Sequence, residues 1–277
     1  MTGPFPEKPS RVVPGAGGVP IAVFSLGSGP PLVLVHGTTA DHTAWRTVAP
    51  LLAPDHTLHA IDRRGRGASG DGPPRAAEGY ALDLEYADVA AVVDAVAAEA
   101  GSRVDVVGHS YGGRCGLGAA ELTLNLRRLV CYEGAPAPRG QQFERSELVE
   151  ELVRLLESGD PDAVMETFMR RVTGMDDEAI AAYRANPVWP VRVAAAHTVP
   201  RELVAARLDP PERFEGLSNP VLLIAGTASP PVFRDGAAAL ARVLADAHLV
   251  TIDGAAHAAH HTHPGAFVEA VETFLRA

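Results

Sequence analysis

Gly108-His109-Ser110-Tyr111-Gly112 places a serine midway between two glycines, directly after the apolar run Val104-Asp105-Val106-Val107. Small, helix-compatible residues follow: Gly113, Cys115, Gly116, Leu117, Gly118, Ala119 and Ala120. The pattern is strand, sharp turn, helix, with Ser110 at the apex. A serine held on such a turn needs the chain to pass closely on both sides, and glycines two residues away remove the Cβ clashes. Its hydroxyl then stands at the carboxyl edge of a sheet, beside a helix N-terminus whose free N–H groups favour negative charge. The chemistry this prepares is nucleophilic attack on a carbonyl.

The rest of the chain reads as the scaffold for that turn. Arg11–Val13 can pair as an edge strand within an otherwise loose arm over residues 1–18, and Val19–Leu26 reads as a strand. Leu32-Val33-Leu34-Val35 is a continuous β-rich run, the mark of a strand buried on both faces. It ends in His36-Gly37-Thr38-Thr39, and a further strand, Thr57–Ile61, ends in Asp62-Arg63-Arg64-Gly65. Helical periodicity runs from Tyr80 to Ala100 and stops at Gly101. Leu129–Tyr132, Val221–Gly226 and His248–Ile252 are strands; Val232–Leu244 and Pro264–Leu275 are helices. Between about 135 and 217 no buried-strand pattern occurs. Helices are expected there over Glu147–Leu156 (capped by Ser146), Asp162–Val172 (opened by Pro161) and Asp177–Ala185. Alternating strands and helices imply an α/β fold with a mostly parallel central sheet and helices on both faces. The expected division is a core of residues 1–134 and 218–277 with a helical lid over 135–217.

The order strand-His36-Gly37, elbow Ser110, helical insertion, late strand and Gly254-x-x-His257 resembles the α/β-hydrolase superfamily over nearly the whole chain. The resemblance implies the α/β-hydrolase fold, with His257 as general base. It also implies an oxyanion hole made by the backbone N–H groups of Tyr111 and Thr38. One feature departs from the family pattern. Most relatives carry an Asp after the strand equivalent to Val221–Ala225, where this chain has Gly226-Thr227-Ala228-Ser229. A serine cannot supply the charge that stabilises an imidazolium. A minority of the superfamily places the acid one strand earlier, which here is Glu133. The ends of neighbouring parallel strands lie about 4.8 Å apart, so an acid on either strand can reach the same imidazole. Asp235 and a simple Ser–His dyad are the alternatives.

The remaining candidates are weighed against plainer roles. His36 is expected to brace the loop after its strand, His109 to point away from the site, and His260, His261 and His263 to form a solvated helix entry. The Asp62–Gly65 loop reads as structural, with Arg64 a candidate at the pocket mouth. Met165, Phe168, Met169 and Val172 form one apolar lid face. Trp45, Trp189, His197 and Phe168 are the substrate-contact candidates.

Composition narrows the function. Hydrophobic residues make up 47% of the 277, ample for a core, and the net charge of −10 disfavours nucleic acid and anionic lipid as partners. Cys115 and Cys131 have no metal-type spacing and read as buried thiols. The N-terminal stretch lacks the basic-then-apolar pattern of a secretory leader, and no apolar run is long enough to span a bilayer. A cytoplasmic protein with a small-molecule substrate, no metal and no organic cofactor is expected. The expected activity is a serine hydrolase acting on an ester, lactone or thioester of a small, apolar molecule. C–C bond hydrolysis or cofactor-free perhydrolysis would use the same residues. A hydrolase-fold binding protein with little turnover is the reading from another class. Dehalogenase and epoxide hydrolase chemistry need a carboxylate at the elbow, which Ser110 is not.

Overall fold

The computed structural model describes residues 3–72, 80–138, 145–205 and 210–277. In chain order the elements are β1 (Arg11–Pro14), β2 (Pro20–Gly27), β3 (Pro31–Val35), α1 (Ala49–Leu52), β4 (Thr57–Ile61) and α2 (Leu82–Ala100). Next come β5 (Val104–His109), α3 (Tyr111–Ala120), β6 (Leu126–Tyr132), α4 (Arg145–Glu157), α5 (Pro161–Phe168), α6 (Asp177–Arg184), α7 (Trp189–Ala194) and α8 (Val199–Ala205). The chain closes with β7 (Val221–Gly226), α9 (Pro231–Val243), β8 (Ala247–Ile252), α10 (Ala259–Thr262) and α11 (Pro264–Arg276).

Among the described residues the strands form one eight-stranded sheet in the order β1-β2-β4-β3-β5-β6-β7-β8. β2 pairs antiparallel with β1 and β4, and every other pairing is parallel. The period-2 alternation of the strands divides the core in two. Val33, Val106, Leu129, Cys131 and Leu223 face a cluster with α2, α3 and α9. Leu32, Val107, Val130, Tyr132 and Leu222 face a second cluster with α1 and α11. Helices thus cover both faces, as a sheet of buried parallel strands requires. The strand carrying Ser110, β5, lies between β3 and β6 in the middle of the sheet.

The N-terminal arm is more structured than expected: β1 pairs with β2, and Phe5 is buried in the second cluster. The helix expected to be capped by Ser146 already includes that residue. Asp160 and Asp176 cap α5 and α6 by accepting the N–H groups of Ala163 and Ala179. The α-helical course of α5 ends at Phe168, and a π-turn carries Met169–Thr173. The helices between β6 and β7 have their own apolar centre, which includes Leu152, Met165, Phe168, Trp189 and Leu203.

Two ionic networks join this insert to the core. Arg63 grips Glu85 of α2 through two hydrogen bonds of 2.9 and 2.8 Å, and both Arg63 and Arg66 contact Glu202 of α8. All four side chains are buried. Beside them Arg201 forks onto Asp71 at 2.9 and 2.6 Å.

Candidate active site

Ser110 stands between the last residue of β5 and the first of α3, with φ 53° and ψ −123°. That backbone conformation is strained for a residue with a Cβ and survives only where the surroundings enforce it. The surroundings leave no room for side chains. A Cβ on Gly108 would lie 2.5 Å from the Gly112 carbonyl oxygen, and one on Gly112 would lie 2.2 Å from that of Val35. The Ser110 N–H donates to the Tyr132 carbonyl at 2.7 Å, tying the elbow to the end of β6.

The residue after Tyr132 is Glu133, itself at φ 48° and buried to 3% exposure. Its N–H continues the ladder onto Ile224 of β7 at 3.0 Å. Its carboxylate is fully engaged. Oε1 accepts the Gly226 N–H at 2.7 Å and the Ser229 hydroxyl at 2.5 Å, and Oε2 meets His257 Nδ1 at 2.5 Å. An ionised carboxylate only accepts hydrogen bonds, so Nδ1 of His257 is the donor of this pair. The His257 loop is held from both sides. Tyr132 donates its hydroxyl to the Ala256 carbonyl at 2.6 Å and accepts the Ala259 N–H at 2.9 Å. His109 Nε2 donates to the His257 carbonyl at 2.8 Å, and the Phe233 ring stacks on the imidazole at 4.4 Å.

Ser110 and His257 border one cavity of about 790 Å³, together with Thr38, Phe168, Met169 and Tyr183. No hydrogen bond links Ser110 to His257 in this resting geometry, a common looseness before substrate is bound. Tyr111 is the first residue of α3, so its N–H has no acceptor within the helix. His36 fixes the loop that carries Thr38: Nε2 accepts the Arg63 N–H at 3.0 Å and Nδ1 donates to the Gly37 carbonyl at 2.8 Å. Burial, then Arg63, hold His36 well below the ordinary histidine value. Burial likewise depresses His109 and His260 strongly, and with Arg46 and Arg192 it pushes His261 down to about 3. Three neutral imidazoles therefore surround the one that touches a carboxylate.

Ser110 thus stands on a tight turn in the middle of a mostly parallel sheet, and Glu133 and His257 follow later strands. The model of the alpha/beta hydrolase family matches residues 32–270. The chain belongs to that family. Among solved structures it is similar to an alpha/beta hydrolase from Sphaerobacter thermophilus, with 34% identity and a TM-score of 0.77; the match covers 93% of this chain and 100% of that one. Among curated relatives it is 25% identical to a 2-(acetamidomethylene)succinate hydrolase from Mesorhizobium japonicum, over 94% of this chain and 93% of the relative. It is 26% identical to a pimeloyl-[acyl-carrier protein] methyl ester esterase from Aeromonas salmonicida, over 92% and 99%.

Several residues of this α/β hydrolase lie elsewhere than their sequence context suggests. Trp45 is fully buried in the core against α1 and does not reach the cavity. Trp189 packs inside the insert with its Nε1 on Asp162 at 2.7 Å, and His197 is exposed, outside the cavity lining, with Nδ1 on the Ala194 carbonyl. Arg64 is buried against Asp88 and not at the pocket mouth. His109 faces the cavity because its ring packs on Tyr132 and His260. His260, expected in solvent, is buried among Trp45, His109 and Phe267. Asp235 is exposed on α9 and makes no bond to His257. Asp41, His42 and Asp62 are the one cluster of metal-ligand type among the described residues. Their carboxylates already serve the His42 ring and the N–H groups of His42, Thr43 and Ala68. Arg46, Arg192, Ser229 and Phe233 have no motif that announces them; each is brought to the site by tertiary packing. No helix among the described residues is long and apolar enough to cross a membrane.

Proposed function

We propose that this hydrolase cleaves a carboxylic ester, lactone or thioester of a small molecule through an acyl-enzyme on Ser110. The observation that carries the reading is the 2.5 Å contact between His257 Nδ1 and Glu133, on an imidazole that borders the same cavity as Ser110. His257 Nε2 takes the Ser110 proton as the hydroxyl oxygen bonds to the carbonyl carbon. The N–H groups of Tyr111 and Thr38 then receive the oxyanion, each worth about 3 kcal/mol to the transition state. Collapse breaks the bond to the leaving alkoxide or thiolate, which takes the proton from His257. Water repeats the sequence on the acyl-enzyme and releases the acid. Glu133 holds the tautomer and offsets the imidazolium charge, and the helical insert acts as a lid over the cavity. The relative named as a methyl ester esterase supports ester cleavage.

Intact mass after exposure to a fluorophosphonate tests this directly. One adduct is expected on the native protein and none on Ser110→Ala. Absence of an adduct on the native protein would overturn the acyl-enzyme and favour a fold retained for binding.

A further inference from the structure

Arg192 on α7 is a buried charge without a counter-ion among the described residues. It is 5% exposed, borders the cavity, and its Nη1 has no hydrogen-bond partner among the described residues. Its Nε donates to the hydroxyl of Tyr183, another residue of the cavity wall, at 2.9 Å. Arg46, on the turn that follows the Thr38 loop, borders the same cavity and among the described residues donates only to the Thr43 carbonyl at 3.3 Å. Among the described residues neither arginine pairs with a carboxylate. Folded proteins do not ordinarily leave a guanidinium desolvated and unpaired, because the cost is several kcal/mol. Arg46 is half-buried on the same cavity, and each arginine disfavours charge on the histidines around it. The cavity's acidic residue, Asp176, lies exposed at the rim and spends Oδ1 on the Ala179 N–H at the start of α6. The wall formed by Arg192, Arg46 and the half-buried Asn186 is therefore cationic and lacks its partner.

We propose that the substrate supplies that partner: it carries a carboxylate, bound by Arg192 and Arg46, in addition to the carbonyl presented to Ser110. A planar carboxylate matches the guanidinium fork, and such charge-assisted pairs are among the stronger hydrogen bonds available. The substrate class is then the half-ester, or the corresponding lactone or thioester, of a dicarboxylic acid, not the apolar molecule that the lid sequence suggests. The inference rests on the acyl-enzyme reading for its chemistry but not for its binding site.

The test compares monoethyl with diethyl esters of glutaric, adipic, pimelic and suberic acids, by chromatography of the released acid. The native enzyme is expected to favour the monoester at least about 10-fold in kcat/KM at one chain length or more. Arg192→Met should cut that preference about 30-fold, mainly through KM, and Arg192→Lys should fall between. Each variant's preference is a ratio within one protein, so partial misfolding does not mimic the effect. A native preference for the diester at every length, or an unchanged ratio in Arg192→Met, would overturn the proposal. Calorimetric titration with the free diacids separates it from the acyl-enzyme reading. If Ser110 takes no fluorophosphonate, diacid binding that is lost in Arg192→Met still upholds the anion site. Equal binding to the native and Met proteins, or no binding to the native protein, refutes it.

Discussion

Ser229 decides which oxygen of Glu133 is left for His257. Its hydroxyl donates at 2.5 Å to Glu133 Oε1 while Gly226 N–H donates to the same oxygen. The two donors leave Oε2 for His257. Glu133→Gln would present the imidazole with an amide in place of a carboxylate, so kcat is expected to fall about 10³–10⁴-fold with KM little changed. Ser229→Ala removes one hydrogen bond to a charged group and should lower kcat about 10-fold. Asp235→Asn should leave the rate unaltered. Near-normal turnover in Glu133→Gln, with loss in Asp235→Asn, would reverse the assignment. Ser110 and His257 stand out in the sequence because local patterns, the glycine spacing and Gly254-x-x-His257, mark them. The contact of Glu133 with His257 was legible through strand adjacency. Ser229, Phe233 and Arg192 were not, because their partners lie 96, 24 and 9 residues away and no short pattern encodes those contacts.

At the scale of elements, the strands were the readable part. β3, β4 and β7 fall within a residue of their expected ends because an apolar run bounded by turn residues is a local signal. The helices α7 and α8 carry no such signal: they have 6 and 7 residues, each contains a proline in its first turn, and they are held by contacts, not by propensity. Their contacts are ionic as well as apolar. Glu202 receives both Arg63 and Arg66 below the insert, next to the Tyr80–Tyr111 hydroxyl pair at 3.1 Å. Breaking one member of a buried charge group strands the others, at a cost of about 3–5 kcal/mol. Glu202→Gln is therefore expected to lower the melting temperature by roughly 10 °C. It should also loosen the insert, read as faster hydrogen exchange over α8. A melting temperature within 2 °C of the native value would mean that Glu85 alone satisfies both arginines.

For the whole molecule, the distribution of charge matters more than its sum. The chain carries a net charge of −10, yet its cavity presents two arginines and a set of imidazoles kept neutral. Keeping them neutral links stability to pH. Burial, reinforced by nearby Arg63, His257 and His109 respectively, holds His36, His109 and His260 below the unfolded value near 6.5; burial, then Arg11, lowers His59 to about 4. Each depressed histidine contributes stability that is present above pH 6.5 and lost as pH falls from 6.5 toward its folded value, because the unfolded chain then binds the extra proton. Glu85 follows at lower pH: burial would raise it, but Arg63 and Arg66 hold it at about 2, so its contribution fades between about 4.5 and 2. Denaturant melts should therefore show a plateau from pH 7 to 8 and a steep decline from pH 6.5 to 5, well before the carboxylates titrate. A midpoint that stays flat to pH 5 would place protonated imidazoles in the folded state, and the neutral lining of the cavity would then be wrong.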